Sequence, residues 1–165
     1  MKDLIESKLD EMLRETRPAV LSEAMRHAVM TGGKRVRPLI CLAAAAAVGG
    51  RAEDAVGPAC AIELLHSYTL VHDDLPSMDN DTERRGQPTV WTKYGEANAV
   101  LAGDALLTDA FTVAATAELE PKAVVEAIQI LSECAGSLGM VGGQVLDINS
   151  EQRLLTEQEV LDIQQ

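Results

Sequence analysis

Apolar residues recur at the spacing of an α-helix along almost the whole chain. One stripe of leucine, isoleucine and methionine covers residues 4–13, and a second follows Pro18 over residues 20–29. Side chains three and four positions apart share one face of a helix, so each stripe predicts a helix with a buried face. The same period predicts four further helices, over about 38–48, 54–75, 96–118 and 121–148.

A sheet is not expected. No segment alternates convincingly between apolar and polar residues, and the aromatic residues, one Trp, two Tyr and one Phe, are few for a sheet protein. A chain of 165 residues, 47% of them hydrophobic, is long enough for one core. We therefore expect an all-α fold, an antiparallel helix bundle that forms a single domain over residues 1–165.

Charge and hydropathy limit the partners of the chain. A net charge of −12 argues against binding to nucleic acid or anionic lipid except at a local basic site. The longest apolar run, residues 38–48, is too short to cross a bilayer, so no membrane insertion is expected. Cys41, Cys60 and Cys134 lie without metal-ligand spacing and are expected to be free thiols. These features predict a cytoplasmic protein.

Four aspartates lie within eleven residues in the segment VHDDLPSMDND, residues 71–81. On a continuous helix Asp73 and Asp79 would point about 120° apart, but Pro76 ends the helix and lets the following turn bring Asp79 back. Carboxylates held this close repel one another unless a cation compensates them. Oxygen ligands without His or Cys suit Mg²⁺, with Mn²⁺ as an alternative. A solvated acidic turn is the structural alternative.

Two basic segments favour the metal interpretation. GGKRVRP, residues 32–38, combines flexible backbone amides with three cations, and Arg84 and Arg85 follow the aspartates closely. Either segment alone is consistent with a solvated basic turn. Together with the acidic segment they predict a site where Mg²⁺ and basic side chains share several phosphates.

At this point the sequence resembles the trans-isoprenyl diphosphate synthases, also called polyprenyl synthetases. The resemblance is collinear over nearly the whole chain, and its motifs are GGKRVRP at 32–38, LLHSYTLVHDDLPSMDNDTERRGQPT at 64–89, YGEANAVLAGDALLTDAF at 94–111 and GGQVLDI at 142–148. It implies an all-helical isoprenoid synthase fold, usually homodimeric. It also implies a Mg²⁺-dependent condensation of isopentenyl diphosphate with an allylic diphosphate, which releases pyrophosphate.

The resemblance assigns roles to individual residues. Asp73 and Asp79 resemble catalytic Mg²⁺ ligands that hold the allylic diphosphate, Asp74 resembles a further ligand or its support, and Arg84 resembles the arginine that contacts the same diphosphate. The residues that resemble the isopentenyl diphosphate site are Gly33, Lys34, Arg37, His66 and Arg85. Gln144 and Asp147 match positions that face the allylic pocket and its metal region.

Product length is inferred from the residues before the first aspartate. Bulky residues four or five positions before it floor the product tunnel in this family, and Tyr68 occupies the fifth. With two extra residues in the acidic loop, this resembles bacterial farnesyl diphosphate synthases and predicts a fifteen-carbon product. Thr69 is small and points more directly towards Asp73, so a twenty-carbon geranylgeranyl product is the alternative.

Family members continue through a Lys-Thr pair and a second aspartate-rich motif, and these 165 residues contain neither. Thr156 and Glu159 form a capping box, which predicts a helix that begins close to the last residue. We therefore expect an N-terminal part of a synthase, with little or no condensation activity alone. The alternatives are a non-catalytic partner subunit of a prenyl synthase and a terpene cyclase, and GGKRVRP with His66 argues against a cyclase.

Overall fold

The computed structural model describes residues 1–14, 18–150 and 156–163, and its regular structure is almost entirely helical, which confirms the predicted all-α class. The chain divides into two compact units, Met1–Glu120 and Pro121–Gln165. A single domain over residues 1–165 stays a prediction.

The described residues of the first unit form α-helices and a short hairpin. The helices are α1 (Lys2–Met12), α2 (Ala19–Met30), α3 (Val36–Ala47), α4 (Val56–Asp73), α5 (Val90–Tyr94) and α6 (Glu96–Ala115). The hairpin pairs β1 (Glu83–Arg84) with β2 (Gln87–Pro88) in antiparallel register. The predicted helices are confirmed within a few residues. The hairpin and α5 were not predicted, because segments of two to five residues are too short to show a period.

Helix α4 packs against α1, α2, α3 and α6 and carries buried residues around most of its circumference. The largest fully buried aliphatic side chains come from α1, α2, α3, α4 and α6, and they include Ile5, Leu9, Val29, Leu42, Leu64 and Leu106. Burial of one such side chain contributes about 1.5–3 kcal/mol relative to exposure. The core of this unit is therefore built around α4.

Small residues allow α4 and α6 to approach closely. Ala99, Ala102 and Gly103 on α6 are buried, and a Cβ added to Gly103 would lie 2.1 Å from Nε2 of His72. The imidazole of His72, a residue of α4, packs against α6, and its Nε2 is 3.1 Å from the carbonyl oxygen of Val100. Gly103 therefore leaves the space that the His72 ring occupies.

The second unit contains α7 (Pro121–Ala135), α8 (Met140–Ile148) and α9 (Glu157–Ile163) within its described residues. The prediction of one helix over 121–148 was wrong, because the chain turns between α7 and α8. A Cβ added to Gly139 would lie 2.1 Å from the carbonyl oxygen of Cys134, so the chain can pass over the end of α7 only with glycine there. Apolar periodicity on both sides of the turn concealed it.

The predicted capping box at the start of α9 is confirmed. The backbone N–H of Glu159 donates to the hydroxyl of Thr156 at 3.3 Å, and the backbone N–H of Thr156 donates to the carboxylate of Glu159 at 2.8 Å. Each side chain thus satisfies a backbone donor at the helix start.

One part of the described chain, Pro121–Ile148, has the length and mean hydropathy, 1.4, of a membrane-crossing helix. A bilayer requires about 20 continuous helical residues. The segment is instead divided into α7 and α8, with 15 and 9 residues. Neither helix is long enough to cross a bilayer alone.

We expect Gly103→Ala to destabilise the protein. Helix propensity alone predicts a gain of about 1 kcal/mol, whereas overpacking against His72 costs about 1–3 kcal/mol. The free energy of unfolding from urea titration should therefore fall. In a His72→Ala background the same substitution should raise it, and destabilisation in both backgrounds would contradict the proposed contact.

Candidate functional site

The acidic turn begins where α4 ends. The backbone N–H of Asp79 donates to the carbonyl oxygen of Asp73 at 2.9 Å, which brings the second aspartate back to the helix end. The N–H groups of Met78 and Asn80 donate to the carbonyl of Leu75 at 2.9 and 3.0 Å. The turn predicted from Pro76 is therefore present.

The surroundings of Asp73 disfavour the ionised form of its carboxyl group. Burial raises the pKa of the half-buried Asp73, and the negative charge of exposed Asp79 raises it further. Within the described residues, no group of three or more His, Cys, Asp or Glu side chains is arranged to hold a metal ion. The donor set still suits Mg²⁺, which uses one or two carboxylates and completes its shell with water and phosphate oxygens.

Asp74 holds Arg84 in place. The Nε and Nη2 groups of Arg84 donate to Oδ1 of Asp74 at 2.9 and 2.7 Å, and Nε also reaches Oδ2 at 3.2 Å. Burial raises the pKa of Asp74, and the guanidinium opposes that shift. Asp74 therefore holds the guanidinium of Arg84, and its expected role as a metal ligand or as the support of one stays a prediction.

The hairpin turn orients Arg85. Arg85 and Gly86 have φ angles of 55° and 74°, the pattern of a type I′ turn. The Arg85 guanidinium donates to the carbonyl oxygen of Gly32, and its Nη1 lies 2.8 Å from where a Cβ on Gly33 would be. The two basic segments of the sequence therefore meet, and Gly33 permits the contact.

His66 lies among these cations. Its Nε2 is 3.4 Å from Nη1 of Arg37 at the start of α3. Burial lowers the pKa of His66, and the positive charges of Arg37, Arg85 and Arg84 lower it further. An arginine can only donate, so a neutral His66 with an accepting Nε2 fits this geometry. Lys34 is exposed in the loop that precedes α3.

The two residues proposed to set product length lie between His66 and Asp73 on α4. Tyr68 is 7% exposed, and its ring meets the ring of His72 edge-on at 5.6 Å. Burial raises the pKa of Tyr68, and the charge of Asp73 adds to the shift. The hydroxyl of Thr69 donates to the carbonyl oxygen of His66 at 2.8 Å. Tyr68 is therefore buried within electrostatic range of Asp73.

Gln144 and Asp147 lie on α8 in the second unit, where Gln144 is half-buried and Asp147 is exposed. Their part in the site stays a prediction.

One cation of GGKRVRP faces the interior. Arg35 was counted among the groups that attract phosphate, but it is 3% exposed and pairs with Glu6 and Glu63. The sequence carries one signal of this arrangement: Glu63 lies within the apolar part of α4, and a buried carboxylate requires a partner.

The fold and the site together define a class: an all-α protein in which an acidic turn follows the central helix α4 and a group of basic side chains contacts His66 on the same helix. The chain belongs to the polyprenyl synthetase family, whose model matches residues 18–165.

The similar proteins agree with this family assignment. The chain is 50% identical over 146 residues to a chloroplastic geranylgeranyl pyrophosphate synthase from Capsicum annuum. It is 47% identical over 153 residues to the chloroplastic heterodimeric geranylgeranyl pyrophosphate synthase large subunit 1 from Arabidopsis thaliana. These matches cover 87% and 90% of this chain but 40% and 41% of the relatives, so the chain spans about two fifths of their length.

The fold is similar to that of a solved FPP/GFPP synthase from Zymomonas mobilis. The TM-score is 0.92 at 39% sequence identity, and the match covers 98% of this chain and 60% of the other. The solved chain therefore supports the isoprenoid synthase fold.

We expect Asp73→Asn to raise the free energy of unfolding in the absence of divalent cations. The pKa of Asp73 is raised in the folded state, so its charge destabilises that state above the folded pKa. The gain should disappear as the pH falls below about 4, where the unfolded state is also protonated. Urea titration with a chelator at several pH values measures it.

The matched control is Asp79→Asn. Because the two charges repel, the gain from Asp73→Asn should shrink when Asp79 is already neutral. Equal gains in both backgrounds would show that the two carboxylates do not interact.

Proposed function

We propose that this chain provides the substrate-binding part of a Mg²⁺-dependent prenyltransferase, which condenses isopentenyl diphosphate with an allylic diphosphate and releases pyrophosphate. The observation that carries this proposal is the arrangement on α4. Asp73 ends the helix beside Asp79, and His66, two turns earlier on the same helix, contacts Arg37. One helix thus joins an acidic and a basic cluster, as two diphosphate substrates require.

The basic cluster is proposed to bind isopentenyl diphosphate. Arg37, Arg85 and Lys34 carry the positive charge, and His66 can donate through a protonated imidazole when a diphosphate offsets the nearby arginines. Gly33 belongs to the proposed site because it carries no side chain, which lets the guanidinium of Arg85 approach the loop backbone closely. Charge-assisted hydrogen bonds of this kind contribute about 1.5–3 kcal/mol each.

The acidic turn is proposed to bind the allylic diphosphate. Asp73 and Asp79 would hold Mg²⁺, with Asp74 as a further ligand or as the support of Arg84, and Mn²⁺ is the alternative ion. When bound, the ion supplies positive charge that stabilises the departing pyrophosphate. Arg84, held by Asp74, presents its remaining guanidinium donors to the same diphosphate. Asp73, Asp79 and Arg84 are the proposed catalytic residues, and Gln144 and Asp147 are proposed substrate-binding residues.

Farnesyl diphosphate is the proposed product. The buried ring of Tyr68 five positions before Asp73 supports a short tunnel, and the similar Zymomonas mobilis protein is called an FPP/GFPP synthase. Geranylgeranyl diphosphate is the second candidate, because the Capsicum annuum relative is a geranylgeranyl pyrophosphate synthase.

The assembly is part of the proposal. We propose a homodimer in the cytoplasm, and only weak condensation by these residues alone. A non-catalytic partner subunit of a prenyl synthase is the alternative, and the similarity to the large subunit of a heterodimeric synthase supports assembly with a different chain. Activity that appears only after mixing with a complementary fragment of a synthase would favour the alternative.

We expect Asp73→Ala to abolish Mg²⁺-dependent binding of an allylic diphosphate, because it removes a proposed ligand of the ion. Arg37→Gln should instead weaken isopentenyl diphosphate binding by about 10- to 100-fold, the loss of one charge-assisted hydrogen bond. Isothermal titration calorimetry with each diphosphate measures both effects.

Arg51→Gln is the control, because Arg51 is a strongly exposed arginine with a side chain 74% accessible. It should change neither affinity. Undiminished allylic diphosphate binding by Asp73→Ala would refute the metal assignment, and equal weakening by Arg37→Gln and Arg51→Gln would refute the basic site.

We expect Tyr68→Ala to lengthen the product of the active synthase by one or more five-carbon units, because it removes the proposed tunnel floor. Product analysis by chromatography with geranyl diphosphate as substrate tests this. Tyr94→Ala changes the other tyrosine of the chain and should leave product length unchanged. An unchanged product from Tyr68→Ala would contradict the tunnel-floor assignment.

A further inference from the structure

We infer that Arg35, Glu63 and Glu6 form a positioning network that fixes the basic loop for isopentenyl diphosphate, an inference that rests on the proposed function. None of these three residues is proposed to touch the substrate. They act through Arg37 and His66, whose separation they determine.

Every nitrogen of the Arg35 guanidinium is used within the protein. Its Nε donates to Glu6 at 2.8 Å, its Nη1 to Glu63 at 2.7 Å, and its Nη2 to Glu6 at 3.3 Å. Nη2 also donates to the carbonyl oxygen of Val29 at 2.7 Å. The side chain is 1% exposed, so Arg35 is turned away from any substrate bound at the surface.

The network joins three helices to the basic loop, residues 31–35, which lies between α2 and α3. Glu6 lies on α1, Val29 lies near the end of α2, and Glu63 lies on α4. Arg35 is the residue directly before α3, and its φ of 52° is the left-handed conformation that residues other than glycine rarely adopt. The guanidinium bonds therefore hold the loop in a strained backbone conformation.

The geometry of the loop follows from these bonds. Arg37 lies two residues after Arg35, and His66 lies one turn after Glu63 on α4. The Arg35–Glu63 ion pair therefore ties the segment that carries Arg37 to the helical turn that carries His66. The Arg37–His66 contact of 3.4 Å depends on that pair.

Gly33 lies between the guanidinium groups of Arg35 and Arg85. A Cβ at Gly33 would lie 3.3 Å from Nη1 of Arg35 and 2.8 Å from Nη1 of Arg85. The loop backbone therefore packs between an inward arginine and a proposed substrate-binding arginine. A shift of Arg35 would move the loop against Arg85 as well as against His66.

A double substitution separates positioning from stability. Replacement of a buried ion pair by apolar residues of similar volume is often neutral or stabilising, whereas removal of one partner leaves a buried charge. Arg35→Met with Glu63→Leu should therefore fold, but it leaves the loop without its directional bonds. We expect isopentenyl diphosphate affinity to fall by at least about tenfold, comparable to the loss of one substrate contact.

The measurements are isothermal titration calorimetry and urea titration on the same samples. Mg²⁺-dependent binding of geranyl diphosphate is the internal reference and should stay within about twofold of the wild type, because its proposed ligands lie outside the network. A folded double variant that binds isopentenyl diphosphate as the wild type does would overturn the inference. Equal weakening for both diphosphates would also overturn it, since that result indicates general disruption.

Two further variants keep the test decisive. Glu6→Gln removes one charge from the partner that is 32% exposed, so it should fold even if the double variant does not, and it should weaken isopentenyl diphosphate selectively. Arg26→Gln with Asp10→Asn removes an exposed ion pair between α1 and α2 and should change neither affinity. Unchanged binding by Glu6→Gln when the double variant fails to fold would overturn the inference. Absence of isopentenyl diphosphate binding by the wild type would overturn the proposed function itself.

Discussion

The candidate site depends on the fixed position of α4. This helix is buried against α1, α2, α3 and α6, so its side chains have little freedom to move relative to the unit around them. It carries His66 and Asp73 on one stripe, and its end begins the acidic turn. Gly103 lets α6 approach as far as the ring of His72, next to the first aspartate. The spacing between His66 and Asp73 is thus set by helix geometry and close packing.

Each of the two clusters contains one buried ion pair with further charged side chains beside it. Asp74 is buried and paired with Arg84, which leaves Asp73 and Asp79 as the carboxylates that repel each other. Arg35 is buried and paired with Glu6 and Glu63, which leaves Arg37 and Arg85 as cations near His66. In both clusters one buried ion pair lies beside charges that shift the pKa of a neighbouring group, Asp73 in the acidic turn and His66 in the basic cluster. This division suits binding of a cation at the acidic turn and of phosphates at both clusters.

The sequence predicted the parts of this site that follow from regular geometry. The 3.6-residue period predicted α4, on which residues seven positions apart such as His66 and Asp73 share a face, and the stereochemistry of Pro76 predicted the return of Asp79. The inward direction of Arg35 could not be predicted, because a basic residue in a glycine-rich loop gives no periodic signal and its partners are 28 and 29 residues away. The break after Ala135 was missed because it depends on how closely Gly139 passes the Cys134 carbonyl, a contact that appears only in three dimensions.

The negative charges of the acidic turn destabilise the folded state when no cation is bound. Because burial and, after it, the charge of Asp79 raise the pKa of Asp73, the ionised carboxylate lowers the free energy of unfolding of the cation-free protein. A cation that binds the folded turn removes this cost and adds its own binding free energy, so cation and diphosphate should stabilise the fold together. The basic cluster behaves in the same way, because a diphosphate offsets the charges that lower the pKa of His66. Binding of a cation or a diphosphate at the proposed sites should therefore stabilise the first unit through these same electrostatic interactions.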